Sequence, residues 1–127
     1  MRRTLPLIAL LFAAGCGSPD APLTAGGHPV AHWFDELARP DAKARAKAVK
    51  ELGRVGAADP AAIPAVTRAL KDRDAGVRKA AVTALLNLGP AAAEALPALT
   101  EVGEHDTDPA VRALAVKAVE QVRGTKR

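Results

Sequence analysis

Tyrosine is absent from the 127-residue chain, tryptophan and cysteine occur once each, and phenylalanine occurs twice. So few aromatics argue against an aromatic-rich β-sandwich. One cysteine, Cys16, rules out an intramolecular disulfide framework. Ser18 is the only serine and Asn87 the only asparagine. From residue 30 onward there is no Ser, Cys or Tyr, so the usual nucleophiles are missing and catalysis is not expected. The formal charge of +4 is inflated by Arg2 and Arg3, which sit in a segment expected to be removed. Without them 16 basic residues face 14 acidic ones, too mild a balance to argue for nucleic acid. What the chain has in quantity is alanine, 30 residues, which biases it strongly toward helix. Its length allows one small domain.

Met1-Arg2-Arg3-Thr4 is a short positive region followed by an apolar run, Leu5 to Ala14, broken only by Pro6. The run is too short for the roughly 20 residues of a membrane-spanning helix, but it has the length of a signal-peptide core. Ala13-Ala14-Gly15-Cys16 resembles the lipobox of bacterial lipoproteins. The resemblance implies cleavage before Cys16, acylation (palmitate among the chains) of its thiol and new N-terminus, and anchorage in the cell envelope. Several acyl chains hold a protein firmly where one holds it marginally. In a double-membraned cell, Gly17 in place of Asp favours the outer membrane. Residues 17–29 are rich in Gly, Pro and small polar groups and have no apolar periodicity, which reads as a flexible tether. The organisation expected is therefore a signal peptide at 1–15, a lipidated cysteine and tether at 16–29, a folded domain at 30–124 and a basic tail at 125–127.

The strongest signal is internal repetition. Asp41, Arg45, Ala48 and Val49 recur as Asp74, Arg78, Ala81 and Val82, and again as Asp108, Arg112, Ala115 and Val116. The period is 33 residues, then 34. Upstream, Val30, Ile63 and Leu96 correspond, as do Trp33, Val66 and Leu99. Each repeat reads as two helices, near 30–39 with 41–56, 60–72 with 74–89, and 91–103 with 107–123. Val77, Ala81, Leu85 and Leu88 form a stripe at helical spacing, matched by Val111, Ala115, Val119 and Val122. Asp41, Asp74 and Asp108 stand where an N-cap is wanted. Pro109 suits a first helical turn, and Gly56 and Gly89 stand where helix ends favour a left-handed residue.

Leu70-Lys71-Asp72-Arg73-Asp74-Ala75-Gly76-Val77-Arg78, with Ala81, Val82 and Leu85 after it, resembles the HEAT-repeat pattern, in the short form also found in phycobilin lyases. Asp106-Thr107-Asp108-Pro109-Ala110-Val111-Arg112 matches as well, and Arg39 to Arg45 is a looser copy with Ala44 for the usual Val. The resemblance covers residues 30–123. It implies an all-α fold, a short right-handed α-solenoid of about three helix pairs. It also implies a structural ladder between neighbouring repeats built from Asp41, Asp74 and Asp108 with Arg45, Arg78 and Arg112.

Candidate functional residues are few. Lys43, Lys47, Lys50 and Arg54 are spaced to share one face of the helix at 41–56, where Glu51 is the only acid after Asp41 at its start. Lys79 and Lys117 continue this basic stripe. In a HEAT solenoid such a helix lines the concave side, so the stripe is a candidate site for an envelope protein with an acidic segment, against the plainer reading of a solvated face. Trp33, Phe34 and Leu114 are candidates for apolar contacts at the solenoid ends, including weak homo-oligomerisation by stacking. His28 and His32 lack a third ligand, His105-Asp106-Thr107-Asp108 lacks the glycine and distal Glu of a calcium loop, and no phosphate-binding loop is present. No metal, cofactor or nucleic acid is expected. The leading expectation is a lipid-anchored, non-enzymatic interaction scaffold. The alternatives are a chromophore-lyase-like or cofactor-handling protein, or a purely structural envelope protein.

Overall fold

The computed structural model describes residues 22–124; Cys16 and the whole leader lie outside the described residues. The described residues form six α-helices in three pairs. α1 (Val30–Glu36) pairs with α2 (Ala42–Val55). α3 (Ala62–Arg68) pairs with α4 (Ala75–Leu88), and α5 (Leu96–His105) with α6 (Pro109–Arg123). The pairs stack in sequence order, α2 on α4 and α4 on α6, giving a short helical solenoid. Two segments expected as α-helix are instead 3₁₀: Ala69–Lys71 tightens the end of α3, and Gly89–Ala95 precedes α5. In the second, Pro90 lacks the N–H an α-helix would use, and Ala92 leaves helical geometry (φ −95°, ψ 22°).

Local chemistry sets the helix starts. The Asp41 side chain accepts from the backbone N–H of Lys43 and Ala44, Asp74 from Val77, and Asp108 from Ala110 and Val111. Each satisfies donors that a helix start leaves without partners. The ends differ from expectation at one glycine. Gly56 is right-handed (φ −57°), and what it provides is room, because a Cβ there would lie 3.0 Å from the Leu88 side chain. Gly89 does take a positive φ of 56°.

One continuous core runs the length of the stack, and the repeat columns align within it. Trp33, Val66 and Leu99 are buried, as are Leu52, Leu85 and Val119. Alanine does much of the packing: Ala48, Ala81 and Ala115 have no exposed surface. Small side chains bring the helices close, as between α2 and α4. A Cβ on Gly53 would stand 2.6 Å from the Cβ of Ala84.

The expected tether is ordered in its second half. Thr24–Ala25 and His28–Pro29 pair as an antiparallel hairpin. Gly26 (φ 55°) and Gly27 (φ 80°) make its two-residue turn, a conformation that suits glycine and matches strand twist. The hairpin is held by burial. The indole Nε1 of Trp33 donates to the Ala25 carbonyl at 2.8 Å, and the N–H of Val30 donates to Leu23. Its turn lies over Glu51, with a Cβ on Gly26 reaching only 3.0 Å from the Glu51 carboxyl. Glu51 occupies the repeat position of Ala84, the residue that meets α2. The hairpin thus covers on α2 the surface that a preceding repeat covers on α4.

Candidate functional site

Two features with different chemistry lie on the repeat stack: a ladder of ion pairs joining the repeats, and a basic groove between α2 and α4. The ladder uses the expected arginines but not the expected carboxylates. Arg45 of the first repeat reaches Asp72 with two hydrogen bonds, Nε to Oδ2 at 2.9 Å and Nη2 to Oδ1 at 3.0 Å. Arg78 reaches Asp106 in the same way, at 2.9 and 3.1 Å. Each guanidinium also donates to two backbone carbonyls of its own repeat: Arg39 and Pro40 for Arg45, Asp72 and Arg73 for Arg78. Asp41, Asp74 and Asp108 are occupied as N-caps. A carboxylate turned onto its own helix N-terminus is poorly placed to reach the next repeat, so the residue two positions earlier makes the pair. In the first repeat that earlier position is Arg39, and among the described residues Arg112 of the third repeat has one hydrogen bond, to the carbonyl of Asp106.

The rungs are little exposed and bidentate, the geometry in which a charged pair acts most strongly. Burial alone would push the Asp72 and Asp106 carboxyls up. The hydrogen bonds from Arg45 and Arg78, with those from the backbone N–H of Asp74 and Asp108, outweigh it and hold both below the ordinary carboxylate value. A depressed native value means the stabilisation is complete above the unfolded value of about 3.9 and drains away as pH falls through the native one. Thermal melts followed by circular dichroism should therefore show stability falling steeply below about pH 4. The variant Asp72→Asn/Asp106→Asn should be less stable at neutral pH and lose less on acidification. Equal acid slopes for the two proteins would contradict this.

The groove between α2 and α4 has a volume of about 590 Å³. Its floor is small and apolar, from Ala46, Gly53, Gly76, Ala80 and Ala84, and its walls carry Lys50, Arg54, Lys79, Thr83 and Asn87. No carboxylate lines it. The acid on this part of α2, Glu51, is turned toward the N-terminal hairpin and accepts from Arg54 Nη1 at 3.1 and 3.2 Å. The Thr83 hydroxyl donates to the carbonyl of Lys79.

Of the six basic residues expected to form one stripe, the structure brings Lys50, Arg54 and Lys79 together. Lys43 and Lys117 are exposed but lie outside the groove lining. Lys47 belongs to the N-terminal end, its Nζ 5.4 Å from the Trp33 ring centre, a cation–π contact. Trp33 is 2% exposed, which withdraws it as a contact surface, and Phe34 is half-buried against the core. Leu114 packs against the core as well; the large apolar residue exposed on α6 is Val116. His28 and His32 stack on each other at 4.5 Å beside Trp33. The sequence reading missed Asp72 and Asp106 as ladder acids and Thr83 and Asn87 as groove walls. The repeat register held a signal for the first two, since Asp72 and Asp106 are themselves 34 residues apart.

Comparison with known proteins agrees with this architecture. A family model described as HEAT repeats matches residues 30–120. No curated protein matches the chain.

Proposed function

The chain belongs to the HEAT-repeat family, a class of helical repeat that suggests a protein-interaction domain, and on that premise we propose that it is a non-enzymatic scaffold docking an acidic segment of a partner protein in the α2–α4 groove. The observation that carries this reading is the lining of the groove, three cations, one hydroxyl and one amide over an apolar floor, with no carboxylate. A cleft lined by charges of one sign focuses the field and attracts the opposite sign. Gly53 and Gly76 keep the floor low where the corresponding positions between α4 and α6 are Leu86 and Ala110.

We further propose that Cys16 is the lipid anchor and that the scaffold works at the bacterial envelope, in the outer membrane where there is one. The lipobox-like Ala13-Ala14-Gly15-Cys16 supports this. With the hairpin packed on the domain, only residues 17–23 separate the anchor from the hairpin, so the start of the hairpin stays within about 25 Å of the bilayer.

Cross-linking capture from envelope membranes tests the reading. The baits are the full-length lipoprotein and a variant carrying Lys50→Glu and Lys79→Glu, checked for equal helicity by circular dichroism. The expected result is an acidic envelope protein captured by the first bait and reduced at least about tenfold with the second, a difference of about 1.4 kcal/mol. Equal capture by both baits would move the binding site away from the groove. Mass spectrometry of the N-terminal peptide, with Cys16→Ala as control, tests the anchor separately.

A further inference from the structure

Charge is divided unevenly along the stack. From Arg39 to Lys79 the chain carries 11 lysines and arginines against 5 acids. From Ala80 to Val111 it carries 5 acids and no lysine or arginine. Two of those five are engaged within the fold: Asp106 holds Arg78, and Asp108 caps α6. The other three, Glu94, Glu101 and Glu104, are exposed. With Pro97, also exposed, they recur at steps of three, four and three residues, a stripe along the outer side of α5 and the turn before it. Among the described residues Glu94 and Glu101 have no hydrogen bond or ion pair, and Glu104 has the adjacent His105, at 3.6 Å.

The α2–α4 groove is the converse. Arg54 shares its charge with Glu51, but Lys50 and Lys79 are exposed, and among the described residues neither ammonium has a hydrogen bond or ion pair. One molecule does not join its own stripe to its own groove. α5 is fixed on α6 by the buried Leu99 and Val102, and none of its residues lines the groove. The acids on the third repeat and the cations on the first two therefore meet only between copies.

We infer that the groove docks the α5 stripe of a second copy, with Glu94, Glu101 and Glu104 of one molecule set over Lys50 and Lys79 of the next. This rests on the reading of the groove as a site for an acidic segment, and names the occupant. Opposite charge steers the two patches together, and the groove holds no carboxylate to oppose them. The one apolar member of the stripe, Pro97, is compact enough to meet a floor of alanine and glycine. Groove and stripe are different patches, so the contact is heterologous. Each copy offers one of each, and association runs head to tail past the dimer. Exposed ion pairs contribute little apiece, so the contact is weak, depends on concentration and loosens with salt.

Sedimentation velocity of the full-length protein in mild detergent tests it. The expected result at low ionic strength is an average mass that rises with protein concentration and falls back when salt is added. Two variants each remove one side of the contact. Lys50→Ala/Lys79→Ala keeps the stripe, and Glu94→Gln/Glu101→Gln/Glu104→Gln keeps the groove. Each alone should associate at least about tenfold more weakly than the wild type, a ratio worth about 1.4 kcal/mol. Mixed in equal amounts they should form a 1:1 complex that grows no further, because one intact groove then meets one intact stripe. Circular dichroism on each variant separates lost association from lost folding. A wild type that stays monomeric at low salt, variants that associate as well as the wild type, or a mixture that forms no complex would each overturn the second copy as occupant. The groove reading fails by a different result, unchanged capture of envelope proteins by the Lys50→Glu/Lys79→Glu bait. Capture lost in that bait beside a monomeric wild type would keep the groove as a docking site and give it to another protein.

Discussion

Asp106→Ala is expected to destabilise the domain by about 3 kcal/mol, because it strands the little-exposed Arg78 guanidinium without its carboxylate. Two hydrogen bonds to Arg78 are lost at once, and so is the acceptor for the N–H of Asp108 at the start of α6. For a domain of this size the melting temperature should drop by more than about 10 °C. Arg112→Ala is the internal comparison. It removes a guanidinium whose one hydrogen bond among the described residues is to the Asp106 carbonyl, and should cost under about 1 kcal/mol. Arg78→Ala combined with Asp106→Ala should cost clearly less than the sum of the two single changes, because the second deletion relieves the charge the first leaves unpaired. Urea unfolding followed by circular dichroism measures all four proteins. If Arg112→Ala matched Asp106→Ala, or if the pair proved additive, the ladder would not be what couples the second repeat to the third.

Most of the architecture was legible because it rests on local rules repeated three times. Asp41, Asp74 and Asp108 cap their helices as read, since an N-cap needs only a short carboxylate beside its own helix. The columns headed by Val30 and Trp33 fall in the core as their period implies, with Leu96 partly buried against it. What failed depends on geometry between repeats. Each Asp-x-Asp turn offers two carboxylates, and only the path of the chain shows that the second is consumed by its own helix and the first reaches back to the preceding repeat. Leu114 looked like the unprotected apolar residue of α6, yet Val116 shares the column of Val49 and Val82, and buried residues at one repeat position become exposed where nothing follows in the described stack. The groove was half legible. Lys50, Arg54 and Lys79 carry a charge pattern visible in the sequence, but its depth comes from the close approach of Gly53 to Ala84, which no spacing rule reports. The hairpin was present as Gly26-Gly27, a turn signal flanked by too few residues to register as strands. Those strands persist because Trp33 and Glu51 receive them, contacts 8 and more residues away along the chain.

Trp33→Ala should then be the most damaging single change at the N-terminal end, at about 3–5 kcal/mol, the range for deleting a large buried aromatic. Three effects add. The side chain is 2% exposed and fills the space between α1 and α2; its Nε1 holds the Ala25 carbonyl; and its ring carries the Lys47 contact. Loss of the hairpin would also uncover Glu51 and leave that end of the stack without the surface that replaces a preceding repeat. Trp33→Phe separates the first effect from the second. It keeps an aromatic ring but leaves the buried Ala25 carbonyl without its donor, at about 1–3 kcal/mol. Amide hydrogen exchange distinguishes local from global damage. In Trp33→Phe the Val30 amide, which donates to Leu23, should lose protection, while amides of α4 and α6 keep theirs because the Arg78–Asp106 rung is untouched. Protection lost evenly along the chain would mean that the three repeats unfold as one unit and that the hairpin is not a separate cap. Protection unchanged at Val30 would mean that the indole hydrogen bond does not hold the hairpin in place.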